Sequence, residues 1–248
     1  MKTIGLSSVR QWRPFSYIGL NNPFFSIDVD TVVNTWIVLL VLILLIIAAR
    51  IALTRRSSVT RYMIIQYVRT FVDLCSQSFG FFSFEHTAFI IALFTYILLC
   101  NCIAILPYVE EPTKELNTTL ALGLISFFYI QYHAIKAHGI GHYIKEFFTP
   151  FFFMFPLHVI GKLSTIVSIS FRLFGNIFGG ATIVHIYTGI LKNSWFLELI
   201  GLFSGMNLIM VGFFILFEGF LQAFVFTMLS MTYLAIALSH NEEIGEMT

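Results

Sequence analysis

The stretch Ser168-Ile169-Ser170-Phe171-Arg172-Leu173-Phe174-Gly175-Asn176 decides how this chain is read. It sets one arginine in the middle of a largely apolar run, residues 147–191. A guanidinium keeps its charge in a protein. At the centre of a spanning helix that charge costs about 2.5–3.5 kcal/mol on insertion scales. Intramembrane charges therefore face a protein interior or a water-filled cavity and find a partner there. What Arg172 faces is the central question for the whole chain.

The surroundings establish that there is a membrane to consider. The 248 residues are 58% hydrophobic and only 11% charged, against about 25% charged in average soluble domains. Mean hydropathy is +0.86. This length allows several spans in one membrane domain, with little left for a soluble module. A net charge of +1 gives no basic field for nucleic acid. Cys75, Cys100 and Cys102 are odd in number and read as small buried thiols without disulfide or metal roles.

Residues 1–31 form an N-terminal segment that holds Lys2, Arg10 and Arg13 but no signal-peptide h-region, with a turn at Asn21-Asn22-Pro23. Residues 32–49 are a first span, closed by Arg50, Arg55 and Arg56. In 55–80 charged and apolar residues alternate at helical spacing, which suggests an amphipathic helix on the membrane surface or a plain loop-helix. Spans follow at 87–107, ended by Pro107, and at 116–135, with Asn117 or Thr118 as its N-cap. That same Asn117-Thr118-Thr119 also fits a glycosylation sequon, but the cap reading is preferred. Lys136, His138, His142 and Lys145 then lie in a loop punctuated by glycine. His138 and His142, flanked by His133 and Glu146, have metal-ligand spacing, but Gly139 and Gly141 break a rigid ligand face and favour a solvated loop. The runs 147–191 and 195–238, joined at Lys192-Asn193-Ser194, are each about twice a normal span. Each is either a tight hairpin or one long tilted helix. Lys162 and Glu198 lie near the run ends, where long side chains snorkel. Basic residues near span ends, seven against five, place the N-terminus outside and the C-terminus in the cytoplasm. The expected fold class is all-α, a polytopic membrane protein of about five membrane helices plus the surface helix.

At 100° per residue, His158, Gly161, Thr165, Ser168, Gly175, Asn176 and Gly179 fall within roughly 60° of Arg172. Small residues at such spacing let helices approach closely in lipid. The stripe is therefore either a helix-packing face with a paired arginine, or a charge presented to something that moves or passes. On the last run Ser204, Asn207, Glu218 and Gln222 share a side, with Glu218 and Gln222 one turn apart. A static Arg172–Glu218 ion pair that locks two helices is compatible with the sequence.

The stretch 168–176 resembles the signature of subunit a of F-type ATP synthases. Leu221-Gln222-Ala223-Phe224-Val225-Phe226-Thr227-Met228-Leu229 resembles that family's C-terminal motif. Asn101-Cys102-Ile103-Ala104-Ile105-Leu106-Pro107-Tyr108 and Asn117-Thr118-Thr119-Leu120-Ala121-Leu122 complete four matches in order. The resemblance implies a helix hairpin and two long, strongly tilted helices against a ring of c subunits, with a b-subunit peripheral stalk and lipid as further partners. It implies no cofactor and no bond chemistry in this chain. Protons, or Na+, would enter by one aqueous half-channel, load onto a ring carboxylate and leave by another, with Arg172 between the two. Asn176, Gln222 and Ser168 would line the path.

Some positions depart from the family pattern. Ala181 and Ile215 stand where many relatives carry ionisable groups, and Glu218, one turn from Ile215, is read as taking over the entry role. His158 stands where a Glu is common and is a candidate for the exit side. His185 points about 180° from Asn176, and either lines the inlet or packs against a neighbour. Ile166 replaces a frequent proline. A self-contained channel or secondary transporter is the alternative, but it lacks internal repeats. A structural anchor would have no need of Arg172 and Glu218, and an enzyme would need a nucleophile–base or metal constellation that the chain lacks. A bacterial inner membrane is favoured over an organelle.

Overall fold

The computed structural model describes residues 11–12, 27–54, 59–105, 109–148, 151, 153–191, 205, 209 and 211–239. The expected turn at Asn21-Asn22-Pro23, Arg55, Arg56, Pro107, the 192–194 joint, Glu198, Ser204 and Asn207 lie outside them.

Helix α1 (Val29–Thr54) is apolar on every side and buries only Val38 within the chain. A helix of 26 residues with that character is made for lipid. A two-residue pairing, Gln11–Trp12 with Ile27–Asp28, precedes it. Helix α2 (Val59–Phe79) turns a single stripe inward, burying Phe71 and Cys75. Phe71 packs on Phe94, while the Tyr67 and Thr95 hydroxyls share a 2.8 Å hydrogen bond, so α2 is tied to the next helix. Gly80, at φ 73°, ends α2 in a conformation that a Cβ would strain.

Helices α3 (Phe84–Cys102) and α4 (Leu116–His138) are antiparallel neighbours in sequence, joined through 3₁₀ turns at Ile103–Ile105 and Pro112–Lys114. The N-cap of α4 is Glu115, two residues before the expected Asn117 and three before Thr118. The 3₁₀ turn ends there, and the Pro112 carbonyl already accepts the Glu115 N–H, which leaves the Asn117 and Thr118 backbone inside the helix. Gly139, at φ 79°, closes α4. The segment read as a loop then re-forms as a short helix, α5 (Ile140–Phe147), because only one glycine separates two helix-compatible stretches.

Helix α6 (Met154–Leu191) is a single unbroken helix of 38 residues, not a hairpin, about 57 Å long at 1.5 Å per residue. That exceeds a ~30 Å hydrocarbon core by far. The last run is helical from Val211: π-helical over Val211–Glu218, then α7 (Gly219–Ser239). Upstream, Gly205 takes φ 68°, so α geometry does not persist through all of 195–238. Five described helices are long and apolar enough to span a membrane, α1, α3, α4, α6 and the last.

The core is one cluster drawn from α2, α3, α4, α6 and α7, including Ile90, Ile97, Leu173, Ala223 and Phe226. A smaller one joins Val38 to Cys100 and Ile103. All three cysteines are free: Cys75 and Cys100 are buried, and Cys102 is half-buried.

Candidate functional site

The buried residues of α6 are Ile166, Ile169, Ser170, Leu173, Ile177 and Gly180. They form one stripe, centred roughly 110° around the helix from Arg172 at 100° per residue. Leu173 fills the core while its neighbour Arg172 is exposed. Ser168, Gly175 and Asn176 are exposed beside it. A Cβ built on Gly161, Gly175 or Gly179 would meet nothing within 4 Å. Among the described residues, then, the stripe around Arg172 is not a packing face; its glycines leave a groove open along the outside. Among the described residues no carboxylate lies within 4.0 Å of the Arg172 guanidinium. The static Arg172–Glu218 pair is thus absent.

Glu218 occupies a different niche. It ends the π-helical stretch and is half-buried, with its Oε2 3.3 Å from where a Cβ on Gly180 would stand. Gly180 is eight residues beyond Arg172, about 12 Å along α6. The missing side chain at Gly180 leaves the room that the carboxylate and the Phe214 ring share. Between these two levels Asn176 Nδ2 donates a 2.6 Å hydrogen bond to Gln222 Oε1. Gln222 is 3% exposed, so its amide is presented from the interior to the edge of the open groove. Arg172, Asn176, Gln222 and Glu218 thus mark successive levels of one polar seam where α6 meets the last helix.

The junction after Glu218 is held from α3. Asn101, 1% exposed, donates through Nδ2 to the Gly219 carbonyl at 2.9 Å and accepts from Thr113 Oγ1 at 2.8 Å. One amide therefore joins α3, the 3₁₀ turn and the point where π geometry gives way to α. π-helical turns are uncommon and gather at functional sites.

Comparison with known proteins fits this geometry. A profile of the ATP synthase A chain family matches residues 32–235. The chain belongs to that family. The ATP synthase subunit a of Moorella thermoacetica is 33% identical over 206 residues, which cover 83% of this chain and 89% of that protein. That of Syntrophobacter fumaroxidans is 33% identical over 216 residues, 84% of each. For Desulforamulus reducens the figure is 34% over 156 residues; the match covers 62% of this chain and 57% of the length of that relative.

Two other site candidates of this family member sit apart from the seam. His158 is half-buried in the first turns of α6, and His185 is exposed among the described residues near its other end. His138 does not face a metal cluster among the described residues; its Nε2–H donates to the Ala237 carbonyl at 2.8 Å and so pins α4 to α7. Reading the sequence missed Asn101, Thr113 and Gly180. Asn101 stood inside a quoted motif, and its position in an apolar helix was the available signal. It also missed a polar knot between α3 and α4. There His86 Nδ1 lies 3.1 Å from the Tyr129 hydroxyl, and the His86 and His133 rings meet edge to face at 4.8 Å. Glu85 approaches His133 Nε2 at 3.7 Å from the solvent side.

Proposed function

We propose that this chain is the proton-translocating stator subunit of a rotary F-type ATP synthase, with Arg172 separating two aqueous half-channels and coupling ion flow to rotation of a ring of c subunits. The observation that carries this reading is an exposed guanidinium on an unpacked stripe of small residues. A charge with no carboxylate partner among the described residues, on a face with room for a close neighbour, suits a counter-charge that arrives from outside. A ring carboxylate at ~4 Å would interact by about 4 kcal/mol at an effective dielectric of 20. That is enough to keep it ionised, and so to release its proton, yet weak enough for rotation to break. A fixed cation also raises the barrier to protons leaking between the half-channels.

In this scheme Glu218 is the ionisable group of the entry side, lodged against Gly180, and Asn176 and Gln222 carry hydrogen bonds between its level and that of Arg172. His158 belongs to the exit side, and Ser168 lines the groove. The ion is H+, or Na+ if the ring selects it. The chain itself makes and breaks no covalent bonds. The b-subunit stalk holds it still, α6 and the last helix run tilted against the ring, and the membrane is a bacterial inner membrane with the C-terminus in the cytoplasm.

Arg172→Ala in the assembled complex tests the reading. ATP-driven pumping into vesicles is expected to vanish while the subunits still co-purify; full pumping overturns the mechanism. Glu218→Gln is expected to slow translocation, and an unchanged rate transfers the entry role to His185. Purification should bring down an oligomeric ring of small hairpin subunits. A solitary chain that conducts ions in liposomes would favour the self-contained channel.

A further inference from the structure

Two buried histidines share one knot at the end of the α3–α4 hairpin. His86, in the first turn of α3, is 6% exposed, and His133, near the C-terminus of α4, is 8% exposed. Tyr129 holds both rings. Its hydroxyl lies 3.1 Å from His86 Nδ1, and its carbonyl oxygen 2.9 Å from His133 Nδ1. A carbonyl only accepts, so His133 Nδ1–H donates that bond and the neutral ring keeps Nε2 as a bare acceptor. The bare nitrogen faces Glu85 Oε2, a second acceptor, at 3.7 Å. Two acceptors so placed share nothing until a proton arrives between them.

The surroundings favour that proton on His133 rather than on His86. The Tyr129 and Tyr132 rings stand 4.2 and 5.1 Å from the His133 ring, and aromatic neighbours favour a cation. Glu85 sits in the first turn of α3, where a helix N-terminus favours negative charge. His86 lies instead against the Phe79 ring of α2 at 5.7 Å. The charged groups within its reach are His133, Glu85 and Lys136. With the two imidazoles 4.8 Å apart, a second imidazolium would be repelled by the first and by Lys136. The knot therefore takes one proton, not two.

The knot also has leverage. Phe79 is the last residue of α2, and His138, five residues past His133, donates to the Ala237 carbonyl of α7. The ends of four helices thus meet here. Further along α4, Ser170 Oγ of α6 occupies the space that a Cβ on Gly123 would need, so α4 is keyed into the helix that carries Arg172.

We propose that His133 and Glu85 form a pH-operated clasp on the α3–α4 hairpin. Proton uptake at His133 Nε2 creates an ion pair with Glu85 and locks the first turn of α3 to the end of α4. Release of the proton slackens it. The proton comes from water and returns to water, and no other bond forms or breaks. Closure is favoured at low pH and lost as pH rises through the histidine range, about pH 5 to 8. The slack passes along α4 to its seat on α6, so ion flux weakens as the side bearing the C-terminus turns alkaline. The effect on flux rests on the translocating role proposed above; the clasp does not.

The test is hydrogen–deuterium exchange at residues 84–88 and 132–138 of the assembled complex in nanodiscs, corrected for the intrinsic rate at each pH. Protection should fall roughly two- to fivefold from about pH 6 to about pH 8, the range of a partly exposed ion pair. His133→Gln and Glu85→Gln should each abolish the step. His86→Gln, which keeps a partner for the Tyr129 hydroxyl, should retain it. A flat native profile, or a step that survives His133→Gln, overturns the clasp. In liposomes, flux at matched driving force should fall over the same interval in the native complex and stay level in Glu85→Gln. Level native flux beside a clear exchange step refutes the control of flux. Full pumping by Arg172→Ala would instead defeat the stator reading and leave the exchange result standing.

Discussion

Asn101→Ala is the perturbation whose cost follows most directly from the structure. It removes the donor to the Gly219 carbonyl and the acceptor for the Thr113 hydroxyl, both in a setting where water has little access. Asn101 is 1% and Thr113 0% exposed. A stranded buried polar group costs about 1–3 kcal/mol, so two give about 2–6 kcal/mol. Part of that penalty belongs to the Thr113 hydroxyl alone. Thr113→Val, which keeps the shape and deletes the hydroxyl, should therefore hurt less in the Asn101→Ala background than in the native chain. The coupling should be about 1 kcal/mol or more. The assay is a double-mutant cycle on the detergent-induced unfolding of the subunit within the purified complex, with proton flux measured in parallel. Flux should fall along with stability, because the amide holds the residue next to Glu218. Additive effects, or a single-variant loss below about 0.5 kcal/mol, would refute the claim that Asn101 fixes the π-to-α junction.

Gly180→Ala places a methyl group 3.0 Å from Phe214 Cδ1 and 3.3 Å from Glu218 Oε2. Overpacking of about 1–3 kcal/mol and slower flux are expected, with partial recovery on adding Phe214→Leu; a neutral Gly180→Ala would remove Gly180 from the proposed entry site. Burial lifts the Glu111 carboxyl above the usual range, an effect opposed by its own backbone hydrogen bond and by Lys114. A raised folded-state value means that the folded chain holds the proton more tightly. The stability it contributes is full below the unfolded carboxylate pKa and is lost as pH rises through the folded value. Glu111→Gln should flatten that slope in melting curves taken from pH 4 to 7, and an unaltered slope would assign it elsewhere. Glu85, largely exposed, pairs loosely with His133, so Glu85→Gln should change melting by less than about 1 kcal/mol. Tyr129→Leu, which deletes the 3.7 Å stack on Phe89 and the partner of His86, should cost clearly more in the same assay.

Arg172 and its stripe were legible because a charge in an apolar run and a three-or-four spacing are one-dimensional patterns. The five spans were legible for the same reason, since lipid imposes a length and a composition. Whether 147–191 was a hairpin or a single helix was not, because both satisfy the same hydropathy; the continuous hydrogen-bonded helix from Met154 decides it. The fit of Glu218 against Gly180 was hidden in another way. It depends on the pairing register of α6 with the last helix, and no local signal encodes that. The π-helical stretch hides likewise, because Val211–Glu218 has no residue that dictates five-residue turns. The N-cap of α4 was misplaced because Asn117 and Thr118 have the right chemistry, yet Pro112 had already set where the turn ends.

The bare glycines of the α6 groove carry a mechanical consequence. Helices that interlock, knob into hole, must climb out of one register before falling into the next, and each step dissipates energy as a ratchet does. At Gly161, Gly175 and Gly179 this surface offers no knobs. Under the proposed role it is a plain bearing: a rotor element sliding past meets a nearly level surface, and Arg172 supplies the one detent. Adding side chains at these three glycines should therefore leave the stationary assembly intact and appear as drag, a torque lost at every step of the turn.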